Sequence, residues 1–195
     1  MEGKHYHFKI YKPYGMLSQF ASNSTQQKRK RFLGELDDFP ENTMPIGRLD
    51  EKSEGLLLLT TDGKLSHFIN SSAIEKEYYA LVDGAISDED ILQLSQGVEI
   101  GFSGKKYQTK VCKVFKLKQA PNLPERSKKI RDDRHGPTTW ISITLTEGKF
   151  RQVRKMTSAV GCPTLRLVRV RVGNIHLNTM DIGAVEPVNI PQTID

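Results

Sequence analysis

At 195 residues the chain is long enough for one good-sized core or for two tightly joined subdomains. Charged residues are plentiful, and no apolar run approaches the ~20 residues that cross a bilayer as a helix, so a membrane partner is not expected. The net charge of +6 and pI of about 9.3 favour a polyanionic partner, and two cysteines, Cys112 and Cys162, make neither a disulfide framework nor a zinc ligand set.

Taken in order, "YHFKIYKP" reads as an opening strand and "YGMLSQF" as the turn and extended segment after it. The start has no apolar signal core, which with the cysteine usage points to a reducing cytoplasm. "ASNSTQQKRKRF" is a polar loop. "GLLLL" is a short apolar run between turn signals, so its length favours a buried strand over a helix. "DGKLSHFIN" is a turn and a short helix, and "KEYYALVDG" a strand ending in Asp-Gly. "SDEDILQLSQG" is a helix, with Ser87 as N-cap, acids in the first turn and Gly97 as the stop. "YQTKVCKVFKLK" alternates with period two, and the proline-rich, charged "QAPNLPERSKKIRDDRHGP" is a loop. "TWISITLTEG" is a strand, and "KFRQVRKMTSAVG" a helix over 149–160 stopped by Gly161. "TLRLVRVRVGNIHL" closes as strands. In that last stretch Arg166 shares a parity with Val168, and Arg169 with Leu167, so the buried face must change near 167–169 through a bulge or a strand end. The mixed order of short strands and few helices predicts an α+β fold with a largely antiparallel sheet, in one domain spanning 1–195.

The cations are not evenly spread. Between Lys149 and Arg171 lie seven basic residues and no acid, alternating with Val, Leu and Met that must be buried. Cations held on a structured surface are how phosphate backbones are usually met. Smaller clusters occupy 28–31 and 128–134. On the helix, Arg151, Arg154 and Lys155 fall at i, i+3 and i+4, one face, with Val153, Met156 and Val160 on the apolar one.

The stretch "GRLDEKSEGLLLLTTDG" at 47–63 is the most specific in the chain. Alone, an Asp in a loop is most often a cap or a surface ion pair, here with Arg48. The longer pattern resembles the signature of the RsuA-type pseudouridine synthases, which isomerise uridine in ribosomal RNA. "KPYGMLSQF" (12–20) resembles that family's first motif, "KEY" (76–78) its Lys-x-Tyr strand, and "EGKFRQVRKMTSAVGCPTLRLVRVRVGNI" (147–175) its basic helix and following strand. The resemblance implies the pseudouridine synthase fold, two joined subdomains about an RNA-binding cleft. It assigns the catalytic carboxylate to Asp50, the tyrosine stacked on a flipped-out base to Tyr78, and the cation paired with that carboxylate to Arg154. Because neighbours on a strand point to opposite faces, only one of Tyr78 and Tyr79 can line the site. Arg48, Lys76, Arg151, Lys155, Arg166 and Arg169 are expected near RNA, while Arg171 is as readily plain surface. Many members carry a preceding S4-type RNA-binding domain. The first motif starts near residue 9 here, so none is expected, and the chain is most similar to the branch that modifies 23S, large-subunit, rRNA. No metal or other cofactor is expected, since the product is an isomer of the substrate. A monomer is expected.

Three rivals remain at this point. A non-enzymatic rRNA-binding protein accounts for the charge but not for the carboxylate motif. A metal-dependent nuclease needs clustered acids, and Glu54, Asp62 and Asp83 show no such spacing. A synthase acting on small-subunit or messenger RNA differs only in features of RNA shape that sequence does not encode legibly.

Overall fold

In chain order the regular elements are β1 (His7–Lys12), β2 (Met44–Ile46), β3 (Glu54–Thr60), α1 (Gly63–Ser71), β4 (Lys76–Asp83), α2 (Asp88–Gln96), β5 (Glu99–Phe102), β6 (Lys105–Gln108), β7 (Lys113–Lys116), β8 (Thr138–Leu145), α3 (Gln152–Ala159), β9 (Thr164–Val172), β10 (Ile175–His176) and β11 (Val185–Pro187). This is an α+β chain. The structure, a computed structural model, describes residues 4–27, 29–71, 74–131 and 133–190. Lys28, in the 28–31 cluster, and Asp132, an acid that dilutes the 128–134 cluster, lie outside the described residues. Contacts gather into two compact units that interleave along the chain. One is Met1–Ile74 with Pro124–Ser127 and Arg169–Asp195; the other is Glu75–Leu123 with Lys128–Val168.

In the first unit β11, β1 and β3 lie in that order, all antiparallel. β1 pairs with β3 along its whole length, from His7 opposite Thr60 to Lys12 opposite Gly55, and β2 pairs with the far end of β3. Every residue of β3 is buried, which is why "GLLLL" has no polar alternation: neither face meets water. Burying each leucine contributes about 1.5–3 kcal/mol. The Asp62 carboxylate then accepts the Lys64 and Leu65 backbone N–H groups and starts α1, which packs on β2 and β3. Phe39 meets Phe8 and Phe20 edge-on, with centroids at 5.6 and 5.4 Å, and pins the connection before β2.

In the second unit the order is β4, β8, β7, again antiparallel, beside a β5–β6 hairpin. Ala80, Val82, Leu94, Ile141, Ile143, Val153 and Met156 share its core. α2 begins as expected: Ser87 Oγ accepts the Asp90 N–H and the Asp90 carboxylate accepts the Ser87 N–H, a reciprocal cap. It ends at Gly97, whose φ of 95° and approach to the Thr109 carbonyl leave no room for a Cβ.

Three expectations are corrected. Residues 107–118 are not one strand. The Thr109 N–H goes to the Val98 carbonyl while the Thr109 hydroxyl accepts the Val98 N–H, the Lys110 N–H goes to Glu147 and the Cys112 N–H to Ser95, so the ladder stops between β6 and β7. The last helix starts at Gln152 rather than 149, because Arg151 has φ 54° and ψ 34°, the left-handed region, and stands outside the helix. β9 is continuous from Thr164 to Val172, with no strand end at 167–169. Both faces are covered there instead, and Arg166 and Arg169 are themselves buried beside Leu167 and Val168. The short strands β2 and β5 have too few residues to show a period.

Candidate active site

The loop carrying Asp50 is held at both flanks by the segment that follows β1. Ser18, buried, uses one hydroxyl twice: it donates to the Leu49 carbonyl (2.8 Å) and accepts the Leu49 N–H (3.0 Å). On the other side the Gly15 N–H donates to the Glu51 carbonyl at 2.8 Å, from a turn whose φ of 80° requires glycine. The Asp50 carbonyl accepts the Ser53 N–H at 2.9 Å, and the Glu51 carboxylate is bridged by Lys30 at 2.7 Å. The peptides before and after Asp50 therefore have one position, while its own residue remains half-buried. Arg48 is exposed two residues earlier. Of the 28–31 cluster, Lys30 holds Glu51 and Arg31 pairs with Glu35, so part of that basic run is structural.

Beneath this loop lies a feature that the residue pattern did not disclose. Lys12, the last residue of β1, is fully buried, and its ammonium donates to the carbonyls of Pro13 (2.8 Å) and Met16 (2.7 Å). Burial pushes its pKa down to about 7, against the opposing pull of the Glu54, Asp50 and Glu51 carboxylates; Arg169 adds to the lowering. Arg169 is almost as enclosed, and its Nε donates to the Leu56 carbonyl at 2.7 Å. Asp50 thus sits in the field of a buried lysine in its own unit. Lysine is ordinarily a surface residue, so only the two carbonyls it meets reveal this one.

The second unit carries the remaining candidates. On β4, Tyr78 stands opposite Ile143 and packs against the core, while Tyr79 stands opposite Ser142. Glu77, on the Tyr79 face, accepts the Ser142 hydroxyl. Burial, and then the Glu77 charge, push the Tyr79 phenol upward. The two rings thus face opposite ways. Lys76 begins the strand, half-buried, and Arg166 is buried in β9.

Arg151, Arg154 and Lys155 are brought together. They line one open groove of ≈ 550 Å³ with Pro163, Thr164 and Gly101. A hydrogen-bonded turn puts them there. Glu147 accepts the Tyr107 hydroxyl (2.6 Å), the Lys110 N–H (2.9 Å) and the Gln152 amide (2.6 Å). Gln152, buried, accepts the Lys149 N–H at 2.9 Å. Burial opposes the Glu147 charge, but these donors hold its carboxyl below the usual range. Arg154 donates to the Thr164 carbonyl (3.2 Å) and Lys155 to the Gly101 carbonyl (2.7 Å). These cations make a surface suited to phosphate. Both cysteines are free, and burial pushes the Cys112 thiol up to about 11, so it is no nucleophile. Among the described residues no three His, Cys, Asp or Glu side chains are grouped to hold a metal ion, and no helix is long and apolar enough to cross a membrane.

Comparison with known proteins adds to this geometry. The family described as RNA pseudouridylate synthase matches residues 6–159. A Xanthomonas axonopodis pv. citri protein named ribosomal large subunit pseudouridine synthase E is 42% identical over 171 residues, covering 87% of this chain and 86% of its own. A protein of the same name from Vibrio parahaemolyticus is 38% identical over 181 residues, covering 92% and 72%. Among solved structures, one described as a pseudouridylate synthase superposes with a TM-score of 0.73 at 25% identity, over 95% of this chain and 71% of that one.

Proposed function

The chain belongs to the RNA pseudouridylate synthase family, and we propose that it isomerises one uridine of 23S, large-subunit, ribosomal RNA to pseudouridine with Asp50 as the catalytic carboxylate. The observation that carries the target is the likeness, over most of both chains, to synthases named for the ribosomal large subunit. The clamp on both peptides flanking Asp50 supports its role, because a reacting group needs one aimed position.

A uracil in a stem must leave the stack before its glycosidic bond can be reached. The bond from the ribose C1′ to N1 then breaks, the uracil turns, and C1′ bonds to C5. The C5 hydrogen leaves to solvent as a proton and N1 gains one, so atoms balance with no redox step. The ionised carboxylate starts this sequence, whether it attacks as a nucleophile or removes a ribose proton. In this reading Tyr78 supplies the flat partner for the displaced base, and Arg154 the cation paired with the carboxylate. Arg151 and Lys155 contact phosphate from the groove on α3. Arg48, exposed, and Lys76 are further candidate contacts. Arg166 and Arg169, being buried, act from beneath the surface, and Arg169 does so through its influence on Lys12. The proposal includes a monomer working in the cytoplasm, and the two free cysteines are compatible with a reducing compartment.

The test is a map of pseudouridine across cellular RNA with and without the protein. Loss of modification at one large-subunit uridine is expected. Loss only in small-subunit or messenger RNA would reassign the target, and no loss anywhere would contradict the proposal.

A further inference from the structure

Phe150 is two-thirds exposed, at 67%, the most exposed phenylalanine among those described. A single exposed apolar side chain is ordinary. This one has unusual surroundings. It lies in sequence between Lys149 and Arg151, and the Lys155 ammonium sits 5.4 Å from its ring centroid. Arg151 and Lys155 both line the basic groove on α3. The Lys149 ammonium is drawn over the Tyr107 ring at 4.9 Å.

The backbone that carries Phe150 is fixed. Glu147 and Gln152 tie the turn at both ends, and the Gln152 N–H also donates to the Lys149 carbonyl at 3.0 Å. Arg151 adopts a left-handed conformation that L residues seldom take. Local strain of this kind persists where neighbouring structure enforces it, and it gathers at functional sites. The turn thus holds an aromatic ring out of the core, with cations on both sides in sequence and one beside its ring. Single-stranded nucleic acid is met in this way: cations track the backbone, and an aromatic face receives a base.

We propose that Phe150 is a stacking platform for one unpaired base of the RNA whose phosphates meet Arg151 and Lys155 in the groove on α3. The ring takes an unpaired base of the bound strand, and so contributes to target choice rather than to the chemical step. This inference rests on the reading of the chain as an RNA-modifying enzyme.

Its test uses the full chain and two probes, a short uridine-rich single strand and an RNA duplex of equal length. Phe150→Ala should weaken single-strand binding about five- to a hundredfold, the range for losing one base–aromatic stack. Duplex binding should change less than about twofold, because its bases are already stacked on one another. The salt slope of single-strand binding should match the wild type, since no phosphate contact is lost. Phe150→Trp should retain affinity and give a direct signal. The chain has one tryptophan, Trp140, so added quenching on binding the single strand reports a base on the new indole. Equal losses for both probes, a changed salt slope, or a Phe150→Trp indole that RNA does not quench would overturn the proposal. If wild-type protein makes pseudouridine and Phe150→Ala binds the single strand normally, this inference alone fails. If the ring behaves as described and no pseudouridine forms, the catalytic reading fails instead.

Discussion

Replacing Lys12 by methionine removes a group that titrates near neutrality inside the folded chain. Its pKa is about 7 when buried, against 10.5 for the free side chain. Between those values the unfolded chain keeps a proton that the folded chain has released, so stability rises with pH through this window and falls as pH drops through 7. One pKa unit corresponds to 1.36 kcal/mol. Integrated from pH 7 to pH 9, the Lys12 contribution to wild-type stability is a gain of about 2 kcal/mol. Methionine is close in length and apolar, so Lys12→Met keeps the volume but leaves the Pro13 and Met16 carbonyls without the ammonium they now accept. That loss shifts absolute stability at every pH alike, so the slope is the diagnostic quantity. Urea unfolding of both proteins at pH 7, 8 and 9 measures it. The difference between wild type and variant cancels other groups, including the Cys112 thiol. The wild type should gain about 2 kcal/mol more than Lys12→Met across the range. Equal slopes would refute the argument, and would mean that Lys12 stays fully charged beside Glu54, Asp50 and Glu51.

Other perturbations separate the proposed roles. Ser18→Ala leaves the buried Leu49 N–H and carbonyl without their partner, and should cost about 1–3 kcal/mol of stability. It should also lower the single-turnover rate by up to about a hundredfold as Asp50 loses its fixed position, while RNA affinity holds. Tyr78→Leu, which keeps apolar packing on the core, should cut single-turnover rate by at least about tenfold, whereas Tyr79→Leu should mainly lower the unfolding midpoint. A dead Tyr79→Leu beside an active Tyr78→Leu would reverse the assignment of the two faces. Arg151→Met should reduce the slope of log affinity against log salt by about 0.7 to 0.9 with a normal single-turnover rate. Arg154→Met should do the opposite, and identical behaviour of the two would make Arg154 another phosphate contact.

Where one residue's neighbours in sequence are also its neighbours in space, the chain is legible. Ser87, Asp90 and Gly97 delimit α2 by local hydrogen bonds and a local φ, and the unbroken leucines of β3 report cover on both faces. Long-range partners are another matter. The Tyr107–Lys116 alternation is real, but Val98, Ser95 and Glu147 capture its middle, and they come from other elements. Arg151 has a helical sequence position, yet the ties between Glu147 and Gln152 hold it in a left-handed turn. Lys12 and Arg169 look like surface cations until the carbonyls of Pro13, Met16 and Leu56 are seen to receive them. At the candidate site the motif residues could be named from the sequence. What could not be named was the support under Asp50, because Ser18 reaches Leu49 across 31 positions.

Hydrogen release from C5 of uracil measures the central claim directly, since forming the carbon–carbon bond expels that atom. RNA carrying tritium at uracil C5 and containing the large-subunit target should release label with wild-type protein in proportion to pseudouridine formed. Asp50→Asn keeps size and hydrogen-bonding groups but removes the charge. It should bind the RNA with wild-type affinity and release no label above background. Release at more than about a tenth of the wild-type rate would contradict the account, because an essential acid–base or nucleophilic group contributes far more than that.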